Sequence, residues 1–139
     1  EIDDENIITI RKSVIGHELD SRKGLLEWFL NQEGSVEGYK EAIFSGLTVL
    51  ELARIIDMYI LPNKNLKGII HISGEPISKY DLLKIIANQY NKHNEIVPNK
   101  EIKINRSLNS EYFRNLTGYR SNSWPLLVKS MEEFNLLNQ

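Results

Sequence analysis

The chain has no cysteine, which excludes disulfides, thiolate nucleophiles and cysteine-ligated zinc. It has no apolar run near the roughly 20 residues that cross a bilayer, so no membrane partner is expected. It has no charge of one sign to spare: 17 Lys and Arg stand against 19 Asp and Glu, a formal net charge of −2, with the signs interspersed. Nothing there builds a basic groove, and nucleic acid is not an expected partner. The glycines form no Gly-x-Gly-x-x-Gly after a strand and no Walker-type loop, so they supply no phosphate cradle. His17, His71 and His93 lack metal-ligand spacing, and no metal is expected. The carboxylates are scattered, with no pair that suggests a general acid and base. Asn105-Arg106-Ser107 and Asn115-Leu116-Thr117 match the glycosylation sequon by chance, because no secretory leader is visible. The expected location is the cytoplasm.

What is present is an ordinary globular composition, 41% hydrophobic and 26% charged over 139 residues, enough for one domain with a core. The segment Gly68–Tyr90 carries the clearest fold signal. A β-branched run, Ile69-Ile70-His71-Ile72, stops at Ser73-Gly74-Glu75-Pro76, and Ser78 then opens a periodic helix. A strand, a tight turn and a capped helix predict an α/β protein.

The same alternation runs along the chain. Residues 7–15 read as one strand too apolar for an exposed edge, hence covered on both faces. Residues 17–24 read as a polar turn. Leu25, Leu26, Phe29 and Leu30 predict a short amphipathic helix through about Gln32. Ser35–Tyr39 and Ala42–Phe44 read as two short extended pieces paired with each other. Thr48 with Glu51 forms a capping box, followed by Leu50, Ala53, Ile56 and Ile60 as an apolar face. Glu95–Val97 predicts a last short strand stopped by Pro98, and the tail predicts helices over Ser110–Leu116 and Trp124–Leu137, with Gly118 as a C-cap. These strands are too few for a full doubly wound sheet, and a chain opening on a core strand reads as a piece of something longer.

Few residues suggest chemistry by themselves. Tyr80 and Lys84 lie four apart on one helix face, where a lysine can lower a tyrosine's pKa for general acid work; the spacing is common by chance, and two solvated side chains on an amphipathic helix are the favoured reading. Arg106 lies between a β-like piece and a helix start, suited to a phosphate or diphosphate, or to a surface carboxylate instead. Lys12, Ser13, His17 and Glu18 follow the first strand, where α/β sheets place ligands. Trp28 and Trp124 can stack on a ring or fill the core.

Ordered motifs add a resemblance. Ile10-Arg11-Lys12-Ser13-Val14-Ile15-Gly16-His17-Glu18-Leu19 and Gly24-Leu25-Leu26-Glu27-Trp28-Phe29-Leu30 lead the series. Phe44-Ser45-Gly46-Leu47-Thr48 with Leu52-Ala53, then Ser78-Lys79-Tyr80-Asp81-Leu82-Leu83, follow. Arg106-Ser107-Leu108-Asn109-Ser110, Thr117-Gly118-Tyr119 and Ser123-Trp124-Pro125 complete it. In this order they resemble the C-terminal, substrate-binding half of extended short-chain dehydrogenase/reductases of the dTDP-4-dehydrorhamnose reductase type. The resemblance implies the C-terminal part of a Rossmann-type NAD(P)-binding fold with a mixed α/β substrate sub-domain. It implies a parent enzyme of surface-polysaccharide biosynthesis that reduces a 4-keto nucleotide sugar with NAD(P)H. Epimerases and dehydratases share this half, and a non-catalytic binding or oligomerisation module is the other reading.

In that register the glycine-rich turn and the catalytic Tyr-x-x-x-Lys precede Glu1. Tyr80 and Lys84 come too late to be the pair, and the chain carries no catalytic residue. The resemblance implies substrate contacts at Ser13, His17, Glu18, Tyr39, Arg106 and Asn109, and nicotinamide approach at Lys12 and Ser13. The loop Gly16-His17-Glu18-Leu19 lacks the proline common there in the family. The chain alone is expected to be inactive, to bind the cofactor poorly and to self-associate through uncovered sheet.

Overall fold

A computed structural model describes residues 7–18 and 23–138. The expected alternation is present, but the strands sort into three small sheets. Strand β1 (Ile8–Arg11) pairs in parallel with β5 (Gly68–His71), with Ile8 opposite Gly68 and Arg11 opposite His71. Strand β2 (Val14–Ile15) pairs in parallel with β4 (Leu47–Thr48). Strand β3 (Val36–Phe44) is flanked by β6 (Ile77–Ser78), antiparallel, and by β7 (Ile96–Asn105), parallel.

The single strand expected over residues 7–15 is therefore two. The chain changes partner at Lys12 and Ser13: the Arg11 carbonyl accepts the Ile72 N–H at 3.0 Å, and the Ser13 carbonyl accepts the Leu47 N–H at 3.0 Å. Gly46 permits this approach, since a Cβ there would lie 2.5 Å from the Ser13 oxygen. Nor is β1 covered on both faces by the described residues. Ile8 and Ile10 are half-buried, Ile7 is 36% exposed and Ile69 on β5 is 44% exposed.

The two paired pieces expected over 35–44 are instead one continuous strand. Its neighbours are β6 and β7, and a register shift between Tyr39 and Glu41 absorbs the polar Lys40. Pro98 does not stop β7. That strand is at the edge of its sheet, where a missing N–H costs no ladder bond, and it runs on to Asn105.

Helix α1 (Leu25–Leu30) buries Leu26 and Phe29. The polar turn expected before it lies partly outside the described residues. Helix α2 (Val49–Ile55) starts as the capping box requires, with Thr48 Oγ1 accepting the Glu51 N–H at 3.3 Å. Of the expected Leu50, Ala53, Ile56 and Ile60 face, Ile60 is buried and Ile56 packs against the core, but Ala53 is exposed and Leu50 half-buried, and the residues buried within α2 are Glu51 and Ile55. Glu51 tolerates burial because the Tyr119 hydroxyl donates to its Oε1 at 3.0 Å. The following turn, Ile56–Ile60, widens so that Leu61 N–H reaches Ile56 O at 2.9 Å.

Helix α3 (Lys79–Gln89) is capped by Ser78, whose Oγ accepts the Asp81 N–H at 3.0 Å, and it buries Leu82, Leu83, Ile86 and Ala87. Helix α4 (Glu111–Thr117) ends on Gly118 at φ 72°, a left-handed cap that favours glycine. Helix α5 (Trp124–Leu137) has the expected bounds and contributes Trp124, Leu127, Val128 and Met131 to one shared hydrophobic core.

Candidate functional site

The break between β1 and β2, the middle of β3, the first residue of α3 and the end of β7 surround one cleft of about 420 Å³. Its polar lining is Ser13, Tyr39, Lys79 and Arg106; Leu25, Phe44, Ile102 and Ile104 are among its apolar walls. No carboxylate and no histidine line it. Among the described residues neither Lys79 nor Arg106 has an ion-pair or hydrogen-bond partner for its side chain. Two free cations over apolar walls, with no acid between them, form a site for a ligand carrying negative charge and a nonpolar body.

A second depression of about 330 Å³ adjoins it. The two share Leu25, Tyr39 and Lys79, and the second adds Lys23, Trp28, Glu37 and Leu83. Trp28 is 39% exposed there, whereas Trp124 is buried against Phe44 and donates its indole N–H to Glu75 O at 2.8 Å. A further depression of about 490 Å³ lies between residues 32–35 and 92–95. Its lysine, Lys92, is already committed to the Leu30 and Gln32 carbonyls at 3.0 and 2.9 Å, which leaves that site little to offer an anion.

Arg106 owes its place to its backbone. Its N–H donates to Ile43 O at 3.0 Å, tying the end of β7 to β3. Beyond it, Leu108 N–H donates to Ser45 Oγ at 2.8 Å, and Leu108 O accepts from Ser73 Oγ at 3.0 Å. Ser73 Oγ also lies 2.9 Å from Ser110 Oγ, and Ser45, Ser73 and Ser110 are all buried. Small hydroxyl residues in strand-end turns were the only hint of this clamp in the sequence.

The other sequence candidates lie outside the cleft lining. His17 is held on both sides, with Nδ1 2.8 Å from Glu27 Oε1 and Nε2 2.9 Å from Tyr90 Oη. Burial, then the nearby Glu132 and Glu27 charges, push the Tyr90 hydroxyl well above the usual tyrosine range. Tyr90 thus keeps its proton at neutral pH. Glu18 Oε2 accepts the Lys23 N–H at 3.1 Å. Asn109 Oδ1 accepts the Glu111 N–H at 2.8 Å, in the first turn of α4. Lys12 is exposed at the strand break beside Ser13. The Tyr80 ring lies under two ammonium groups, Lys40 Nζ at 4.9 Å and Lys84 Nζ at 5.4 Å from its centroid, outside the cleft lining. Lys79 is the lining residue that sequence reasoning missed. It falls just after a capping serine, and nothing in a lone lysine marks a site.

The arrangement is a mixed α/β fold with parallel strand pairs, matching solved structures of Rossmann type. Among solved structures, a dTDP-4-dehydrorhamnose reductase from Bacillus anthracis in complex with NADP is similar with a TM-score of 0.77 at 15% identity, over 93% of this chain and 48% of that one. A UDP-N-acetylglucosamine 4-epimerase from Bacillus cereus is similar with a TM-score of 0.71 at 16% identity, over 91% and 47%. The Bordetella bronchiseptica enzyme WbmG in complex with NAD and UDP follows with a TM-score of 0.65 at 12% identity, over 94% and 44%. The chain thus spans about half the length of the solved structures it matches. No family model and no curated protein matches it.

Proposed function

We propose that this chain is the substrate-binding half of a nucleotide-sugar reductase, resembling dTDP-4-dehydrorhamnose reductases, that reduces a 4-keto nucleotide sugar with NAD(P)H. The carrying observation is the cleft: among the described residues Lys79 and Arg106 are free of partners and no carboxylate lines it, and its walls are apolar. A nucleotide sugar matches this lining, with a diphosphate for the cations and a sugar and base for the apolar walls. Arg106 takes a phosphoryl group through its planar guanidinium. Tyr39 packs along the ligand, and Ser13 faces the sugar. His17, Glu18 and Asn109 act through the loops they hold.

The chain offers little to the cofactor itself. The sequence has no glycine-rich turn for a dinucleotide, and Lys12 and Ser13 are its only candidates at that edge. Hydride chemistry belongs to the complete protein, and the chain alone is inactive by this reading. The half-exposed β1–β5 pair supports a missing neighbour, because parallel strands are ordinarily covered on both faces. An epimerase or dehydratase parent is the second reading, since such enzymes share the fold at TM-scores of 0.71 and 0.67.

The test is calorimetric titration of dTDP and UDP into the chain and its Arg106→Ala variant. At least one nucleotide binds, and removing the guanidinium weakens it about tenfold, the equivalent of roughly 1.4 kcal/mol. Equal affinities would remove Arg106 from the site; no binding of either nucleotide would remove the function.

A further inference from the structure

We propose that Lys79 is a specificity-determining residue, a second phosphoryl contact that makes the cleft prefer a diphosphate to a monophosphate. The inference rests on the nucleotide reading above and adds a residue that neither the motif series nor the fold assigns. Lys79 is the first residue of α3, and Arg106 follows the last residue of β7, so the two cations reach the cleft from different elements. Among the described residues neither has an ion-pair partner: Glu37, the carboxylate of the adjoining depression, makes no ion pair with Lys79. A sugar-linked diphosphate carries one negative charge on each phosphoryl, and two separate cations match two adjacent charges better than either matches one.

The division of labour follows from the side chains. Arg106 offers a rigid fork that grips one phosphoryl by two parallel hydrogen bonds. Lys79 offers a compact charge on a flexible stem, able to follow the second phosphoryl. Lys79 also lines the adjoining depression, so a phosphoryl bound to it lies where the two depressions meet. A monophosphate held by Arg106 leaves Lys79 solvated and gains nothing from it.

The experiment is calorimetric titration at fixed ionic strength with dTDP, dTMP and inorganic pyrophosphate. The chain is compared with its Lys79→Ala, Lys79→Arg, Arg106→Ala and Lys84→Ala variants. Lys84 is the charge control: it is on the same helix, sits over the Tyr80 ring and does not line the cleft. Lys79→Ala weakens dTDP about tenfold and leaves dTMP within about twofold; Lys79→Arg restores dTDP, and Lys84→Ala changes neither. Arg106→Ala weakens both. The proposal is overturned if Lys79→Ala weakens dTDP and dTMP equally, or weakens neither. Nucleotide binding that depends on Arg106 but not on Lys79 keeps the nucleotide reading and removes this one. Lys79-dependent pyrophosphate binding with no nucleoside preference keeps the diphosphate contact and removes the nucleotide-sugar reading. Absence of all binding removes both.

Discussion

Replacing Ser45 by Ala removes one hydroxyl from the base of the Arg106 loop. Ser45 is 2% exposed, and its Oγ accepts the Leu108 N–H at 2.8 Å. Its backbone carbonyl still receives the Gly74 N–H at 2.9 Å, so strand β3 should be undisturbed. The loss falls on Leu108, whose carbonyl remains held by Ser73 at 3.0 Å while its N–H is left unpaired. An orphaned buried donor costs about 1–3 kcal/mol; Leu108 is only half-buried, which favours the lower part of that range, about 1–2 kcal/mol. For a chain of this length that corresponds to a Tm lower by roughly 3–10 °C.

Ser107→Ala is the control, because the Ser107 hydroxyl bonds only to Asn105 Oδ1 at the surface, and its removal should stay within about 0.5 kcal/mol. Urea denaturation with an unchanged m-value measures the loss, and amide exchange locates it at Leu108. Nucleotide affinity should fall with Ser45→Ala and not with Ser107→Ala, because only the first loosens the backbone that carries Arg106. A Ser45→Ala protein as stable as the parent, with the Leu108 amide still protected, would refute the clamp.

The Tyr119 hydroxyl donates to the buried Glu51 carboxylate, and burial together with the Glu51 charge holds its pKa above the usual tyrosine range. The unfolded chain loses this proton near pH 10 while the folded chain keeps it. The contribution is therefore whole below about pH 10 and is lost as pH rises from there through the raised folded value. Tyr119→Phe should cost about 1.5–3 kcal/mol at neutral pH and flatten the alkaline decline, read by denaturation at pH 7 through 11; a variant with the parent's alkaline slope would contradict this. The exposed Ile69 of β5 and Ile7 just before β1 should promote self-association, seen as concentration-dependent sedimentation that an Ile69→Lys change reduces. A monomer at all concentrations would count against it.

The helices were the most legible part of the chain. Capping serine and threonine residues at Ser78 and Thr48 and the left-handed Gly118 are local signals, and local hydrogen bonds fix those helix ends. Strand partners were not legible. Nothing local to Ile7–Ile15 tells that it changes partner at Ser13, and the two halves of β3 join because β7, some 60 residues later, runs beside both. Pro98 misled for the same reason: whether a strand tolerates proline depends on its being an edge, a property of the sheet.

The site divides similarly. Arg106 was a candidate from its place before a helix start, with a surface carboxylate as the other use, and Ser13 from its place after the first strand. Tyr39 was reachable only through the resemblance. Lys79 became visible only when folding brought it to the cleft of Arg106, whose lining holds no carboxylate. His17 read as a loop ligand and is instead pinned between Glu27 and Tyr90, partners 10 and 73 residues away.

The most direct measurement of the central claim is backbone amide NMR of the chain during titration with dTDP and UDP. Perturbations clustered at Ser13, Tyr39, Lys79, Ile104 and Arg106, and absent from the Gln32–Ser35 and Lys92–Glu95 depression, are the predicted result. Perturbations centred on that other depression, or none at saturating nucleotide, would contradict it.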